Sequence, residues 1–144
     1  MSGSSGKRRP TGVVLLDTSA VVAFLQPDHI FHASTSTVIA AYLRAGSRLA
    51  ISAVTLTELF AGVVLGHQEE QVVNGFLEEF GVLKLPLEEV IAKRAAQIRG
   101  AHVERTAKGA ARLTVRVPDA VILATADLHP QIELKVSAPA CSER

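Results

Sequence analysis

The chain has 144 residues, 48% of them hydrophobic, with a mean hydropathy of +0.28 and a formal net charge of +1. That is the size of one globular domain with ample material for a core, and the near-neutral balance excludes a protein marked as a nucleic-acid binder by bulk charge alone. A single cysteine, Cys141, excludes an internal disulfide or a cysteine-built zinc cluster and fits a reducing, cytoplasmic setting.

The first six residues, MSGSSG, are Gly/Ser-rich and carry no fold information. Lys7, Arg8 and Arg9 precede an apolar run as in a signal peptide, but Asp17 interrupts that run after four residues, and no 18-residue apolar span occurs further along. Neither an export signal nor a membrane anchor is expected. Val13 to Leu16 is apolar throughout, as in a strand buried on both faces of a parallel sheet. Asp17 sits at its end, Thr18 or Ser19 can cap the next element, and Ala20 to Leu25 continues as a short helix that stops near Pro27. Phe31, Thr35, Val38, Ile39, Tyr42 and Leu43 repeat with helical spacing up to Gly46, and Arg48 to Ser52 forms a second strand.

Thr55 and Glu58 have the spacing of a capping box, with Leu56, Leu59, Phe60, Val63 and Val64 as the apolar face of their helix before Gly66. Val72 to Phe80 marks another helix, ending at Gly81, and Val82 to Leu85 a third strand. Glu88 to about Arg105 reads as helical, Lys108 to Val117 has no clear period, and Pro118 to Ala126 is a helix with Pro in its first turn. Ile132 to Val136 closes the series as a last strand. Alternating strands and helices imply crossover connections, hence an α/β fold with a mostly parallel sheet between helices. The expected layout is a tail over 1–11, one domain over 12–137 and a second tail over 138–144.

Functional groups in such sheets gather at the carboxyl ends of the strands, and three acids fall at or just beyond such positions. Asp17 follows the first strand, Glu58 lies in the first turns after the second, and Asp119 is in the first turn of the helix that begins at Pro118. Each has a structural alternative as a helix cap or capping-box partner. Their apolar flanks nevertheless predict partial desolvation, and clustered like charges are costly without a compensating cation. An oxygen-only cluster suits a hard divalent ion, Mg²⁺ or Mn²⁺. Ser19, two residues after Asp17, stands where a haloacid-dehalogenase-like phosphatase needs a second aspartate; no receiver-like acidic pair, P-loop or Gly-x-Ser-x-Gly is present.

The three blocks VVLLDTSAVVAFL, SAVTLTELFAGV and VPDAVILATA resemble, in order and spacing from Val13 to about Val136, the acidic blocks of PIN domains, particularly those of VapC toxins from bacterial VapBC toxin–antitoxin pairs. The resemblance implies a PIN-like three-layer sandwich and a Mg²⁺- or Mn²⁺-dependent endoribonuclease. In it, Asp17, Glu58 and Asp119 match three catalytic, metal-binding acids, and Thr18 or Ser19 the hydroxyl position after the first. It also implies an RNA substrate, a VapB-like antitoxin as partner, and a homodimer. The exposed faces of Tyr42 and Phe60 are candidate antitoxin contacts, with core positions as their alternative.

One departure stands out. Many family members carry a fourth acid about 20 residues after the third, where this chain reads KVSAP and has Pro139 near the expected acid. Asp127 is a poor substitute, since eight helical residues carry it roughly 12 Å away from Asp119. The alternative function is therefore a catalytically degenerate PIN domain that binds an antitoxin or RNA. For the substrate, seven of fifteen Lys/Arg lie between Lys93 and Arg116 against only Glu104, a candidate phosphate track that includes Arg112 and Arg116. The alternative for that run is a solvated helix face. His102 and His129 are assigned no role, and the 4% aromatic content disfavours base-stacking platforms.

Overall fold

The computed structural model describes residues 12–105 and 107–138; the expected N-terminal tail, Thr106, and the stretch from Pro139 through Cys141 to the end lie outside the described residues. In chain order the elements are β1 (Val13–Leu16), α1 (Thr18–Leu25), α2 (His32–Arg44), β2 (Arg48–Ser52), α3 (Ala53–Val64), α4 (Glu70–Glu79), β3 (Leu83–Leu85), α5 (Glu89–Ala101), β4 (Val103–Arg105), β5 (Ala111–Leu113), α6 (Val117–Leu128) and β6 (Ile132–Val136). The main sheet has the order β3-β2-β1-β6, with every neighbouring pair parallel.

The period of the strands explains the layers. Val14, Leu16, Leu49 and Ile51 point to one face, where they meet Ala20, Val21, Ile39, Leu59, Val73 and Phe76 from α1 to α4. Val13, Leu15 and Ala50 alternate to the other face and meet Ile122 of α6. A third cluster of Ile91, Ala95, Ala120, Val121 and Ala124 joins α5 to α6. The result is the expected three-layer α/β sandwich with a parallel central sheet. Tyr42 and Phe60 pack half-buried against the first cluster, with part of each side chain still exposed.

Chain order dictates a reversal. From β1 the strands advance through β2 to β3 with α1 to α4 on one face, and the chain then returns past β1 to β6 with α6 on the other. Connections of one hand require this change of face when the direction of travel reverses. The switch point falls between β1 and β6, and in open α/β sheets the crevice beyond the carboxyl ends at that point is where ligands bind.

Several local expectations need correction. The helix after β2 starts at Ala53, because Ser52 caps it by accepting from the Thr55 amide, so Thr55 is inside the helix and the expected capping box does not form. Asp17, rather than Thr18 or Ser19, is the N-cap of α1. The helix expected over 88–105 ends at Ala101, and the segment without a clear period supplies β5, which pairs antiparallel with β4 across a turn where Gly109 holds φ of +85°. A left-handed residue there suits a hairpin and cannot continue a helix. Gly46 (φ +90°) ends α2 similarly, letting the Ser47 amide reach back to the Tyr42 carbonyl at 3.0 Å.

Candidate active site

Three elements converge at the switch point. The β1 ladder carries the chain into Asp17, whose amide donates to the Val136 carbonyl of β6 at 3.0 Å, so the corner between β1 and α1 is pinned to the end of β6. Ser52 ends β2 and starts α3, whose second turn carries Glu58 over the same edge. Pro118 in the first turn of α6, with its fixed φ and missing amide donor, starts that helix so that Asp119 lies at its amino end. Asp17, Thr18, Ser19, Val22, His29, Glu58, Arg116, Asp119 and Ile122 together line one cleft of about 390 Å³. The structure thus places all three sequence-selected acids on the wall of one cleft.

Their environments differ. Asp17 is half-buried; its Oδ1 accepts from the Ala20 amide at 3.0 Å and from the Ser19 hydroxyl at 2.8 Å, while Oδ2 faces the Lys135 ammonium at 3.6 Å. Glu58 is also half-buried; its Oε1 accepts a hydrogen bond from the Thr18 hydroxyl, and Oε2 lies 3.8 Å from the Arg116 guanidinium. A hydroxyl has one proton to give. With it committed to Glu58, Thr18 accepts from Thr55 Oγ1, 3.1 Å away. Asp119 is exposed, contrary to the desolvation its flanks suggest, and makes no hydrogen bond or ion pair among the described residues.

Among the described residues, no three Asp, Glu, His or Cys side chains are drawn close enough in this arrangement to hold an ion between them. Asp17 and Glu58 are instead turned to donors of the protein. The donor set nevertheless fits a hard divalent ion: every acid offers oxygen, and among the described residues one oxygen of each is held by nothing closer than a cation at 3.6 or 3.8 Å, or by no partner in the case of Asp119.

The basic run is more dispersed than its sequence suggests. Lys93 pairs with Glu89 at 2.8 Å, Arg94 with Asp127 at 2.7 Å, Arg99 donates to the Val115 carbonyl at 2.8 Å, and Arg112 pairs with Glu104 across the hairpin. Arg116 lines the acidic cleft, whereas Arg112 does not. Asp127 is engaged by Arg94 away from the cleft, in keeping with its exclusion as a fourth acid.

Two residues were missed by sequence reasoning. His29 lines the cleft; its Nδ1 accepts from the Phe31 amide at 3.0 Å, which leaves Nε2 as the donor of the neutral ring. Lys135 faces Asp17 from β6, and the strand IELKV, which carries both Glu133 and Lys135, gives no signal that singles out the lysine.

A PIN domain family model matches residues 14–134. No curated protein matches the chain. Among solved structures, the chain is similar to VapC20 of Mycobacterium tuberculosis, described as a sarcin-ricin-loop-cleaving toxin, at 15% identity and a TM-score of 0.65 over 86% of this chain and 88% of that one. It is also similar to a chain of a toxin–antitoxin complex from Klebsiella pneumoniae, at 22% identity and TM-score 0.62 over 86% and 84%. A third likeness is to VapBC2 from Rickettsia felis bound to a fragment of its promoter DNA, at 21% identity and TM-score 0.58 over 79% of each.

Proposed function

The chain belongs to the PIN domain family, and on that premise we propose that it is a Mg²⁺- or Mn²⁺-dependent endoribonuclease of the VapC type, the toxin of a toxin–antitoxin pair. The observation that carries the reading is the convergence of Asp17, Glu58 and Asp119, from three separate elements, on one cleft at the switch point of the sheet. A divalent ion held by these acids would supply the Lewis acidity and positive charge that phosphodiester hydrolysis needs.

The protein's own groups have the complementary tasks. Ser19 and the Ala20 amide fix Asp17 through Oδ1, leaving Oδ2 with only the Lys135 ammonium at 3.6 Å among the described residues. Thr18, supported by Thr55, fixes Glu58 through Oε1. Asp119, with no other partner among the described residues, is free to orient an attacking water or to complete the ion's shell. Arg116 is the cation on the cleft wall able to leave a long, exposed contact with Glu58 for an RNA phosphate. His29 Nε2 offers a second donor to the same backbone.

A VapB-like antitoxin is the proposed partner, supported by the solved toxin–antitoxin complexes of similar fold. Val64 and Leu65, 85% and 68% exposed at the end of α3, offer apolar surface beside a second cleft lined by Val22, Gln26, Glu58, Gly62 and His67. Among the described residues no helix is long and apolar enough to cross a membrane.

The catalytically degenerate PIN domain stands as a second reading on one observation: the segment 135–138 offers Lys135 to Asp17 and no acid. Single-turnover cleavage of a structured RNA panel by antitoxin-free protein, with Mg²⁺, Mn²⁺ or chelator, decides between the two. Cleavage that chelator abolishes supports the nuclease, and the absence of cleavage under either metal leaves the binder.

A further inference from the structure

Lys135 is held in place by more than its contact with Asp17. Its Cα partner in the parallel ladder is Leu15, its Nζ donates to the Ser137 hydroxyl at 2.6 Å, and the next amide along, that of Ala138, donates to Ser19 Oγ at 3.1 Å. Ser19 in turn donates to Asp17 Oδ1. The end of β6 is thus bound to the Asp17 corner by backbone and side chain alike.

The two cations that reach the cleft's acids differ in kind: Arg116 lines the cleft itself, whereas Lys135 approaches Asp17 from β6. Arg116 reaches Glu58 at 3.8 Å with 72% of its side chain exposed, so solvent screens the pair and the guanidinium can swing away. Lys135 reaches Asp17 at 3.6 Å with its side chain 29% and that of Asp17 16% exposed, so the pair is shielded and its charge stays with the site.

We propose that Lys135 is a tethered counter-cation of Asp17, which neutralises part of the acidic cleft in advance and so weakens divalent-ion binding and limits it to a single ion. The proposal rests on the metal-site reading above. Three carboxylates around one cleft repel one another unless positive charge compensates, and here one positive charge is built into the sheet. A divalent ion taking Asp17 Oδ2 must share that oxygen with the ammonium or displace it. The repulsion between an ammonium and a divalent ion on one carboxylate corresponds to roughly tenfold in affinity even at water-like screening. A second ion on the β6 side would meet Lys135 where other oxygen ligands would be needed.

The test is isothermal titration of the full metal-free chain with Mn²⁺, for wild type, Lys135→Met, Lys135→Arg and the double variant Asp17→Asn/Lys135→Met beside Asp17→Asn, each first checked for native circular dichroism. Wild type should bind one Mn²⁺, Lys135→Met should bind it roughly tenfold more tightly, and Lys135→Arg should stay close to wild type because it keeps the charge. In the Asp17→Asn background the gain should shrink, since the carboxylate through which Lys135 acts is gone. Metal-free Lys135→Met should melt below wild type and be raised further than wild type by saturating Mn²⁺. Equal or weaker Mn²⁺ binding by folded Lys135→Met, beside measurable binding by wild type, overturns the counter-cation and leaves the metal site standing. If no variant binds Mn²⁺, both fall together. Should Lys135→Met lose its fold, Lys135→Gln takes its place with the same criteria.

Discussion

Replacing Asp119 by Asn tests the catalytic cleft with little risk to the fold. The side chain is exposed and has no hydrogen-bond or ion-pair partner among the described residues, so the substitution breaks no contact seen in the structure. Two small electrostatic effects oppose each other. Losing a negative charge in the first turn of α6 costs about 0.3–1 kcal/mol of favourable interaction with the helix amino terminus. Removing one of three like charges that line the cleft returns an amount of similar order, since unit charges even a few ångströms apart interact by about 1 kcal/mol in water. The metal-free protein should therefore stay within about 0.5 kcal/mol of wild type, a shift in Tm of about 1–3 °C for a chain of this size. Catalysis should respond on another scale. Loss of one charged ligand or water-orienting group should lower single-turnover cleavage by about a hundredfold or more, or about 3 kcal/mol of transition-state stabilisation. Both quantities are read on one preparation, by gel-resolved cleavage of labelled RNA and by thermal melting with and without Mn²⁺. Cleavage at the wild-type rate would refute a catalytic Asp119. A drop of more than about 5 °C in the metal-free Tm would show instead that the residue's main work is structural.

Arg116→Gln should weaken RNA binding and flatten the dependence of log K on log salt by about 0.7–0.9, the share of one phosphate that the side chain no longer neutralises. Arg112→Gln, whose guanidinium is occupied by Glu104, should leave that slope almost unchanged, so equal effects in a filter-binding titration would argue against this assignment. Ile122 is 4% exposed between the sheet and α6 and also borders the cleft; Ile122→Ala should cost about 2–4 kcal/mol in urea unfolding, and a loss under about 1 kcal/mol would contradict its place in the core. Ser52 is 1% exposed and caps α3, so Ser52→Ala should cost about 1–2 kcal/mol and lower cleavage by loosening the helix that carries Glu58, whereas an unchanged unfolding midpoint would remove the cap from the account.

The order of strands and helices was legible in the chain because it is written in local patterns. The apolar run before Asp17, the helical period from Phe31 to Leu43, and the Pro at the start of α6 each act within a turn or two of themselves. The three acids could be picked out on the same basis, as charges at the ends of apolar elements. Tertiary structure decided what those patterns leave open. Whether residues 103–113 extend a helix or turn back as a hairpin depends on strand pairing across the turn at Gly109, which outweighs the helical tendency of the residues before it. Which cation of the basic run reaches the cleft depends on where α5 ends and α6 begins, and spacing alone does not distinguish Arg112 from Arg116. Lys135 lies furthest from what a sequence can disclose: its meeting with Asp17 requires the chain to pass through β2 and β3 and return, so that β6 lies beside β1 in register. Local chemistry specified the acids, and the strand order that brings Ser19 and Ala138 together across a sequence separation of 119 decided which charge would stand among them.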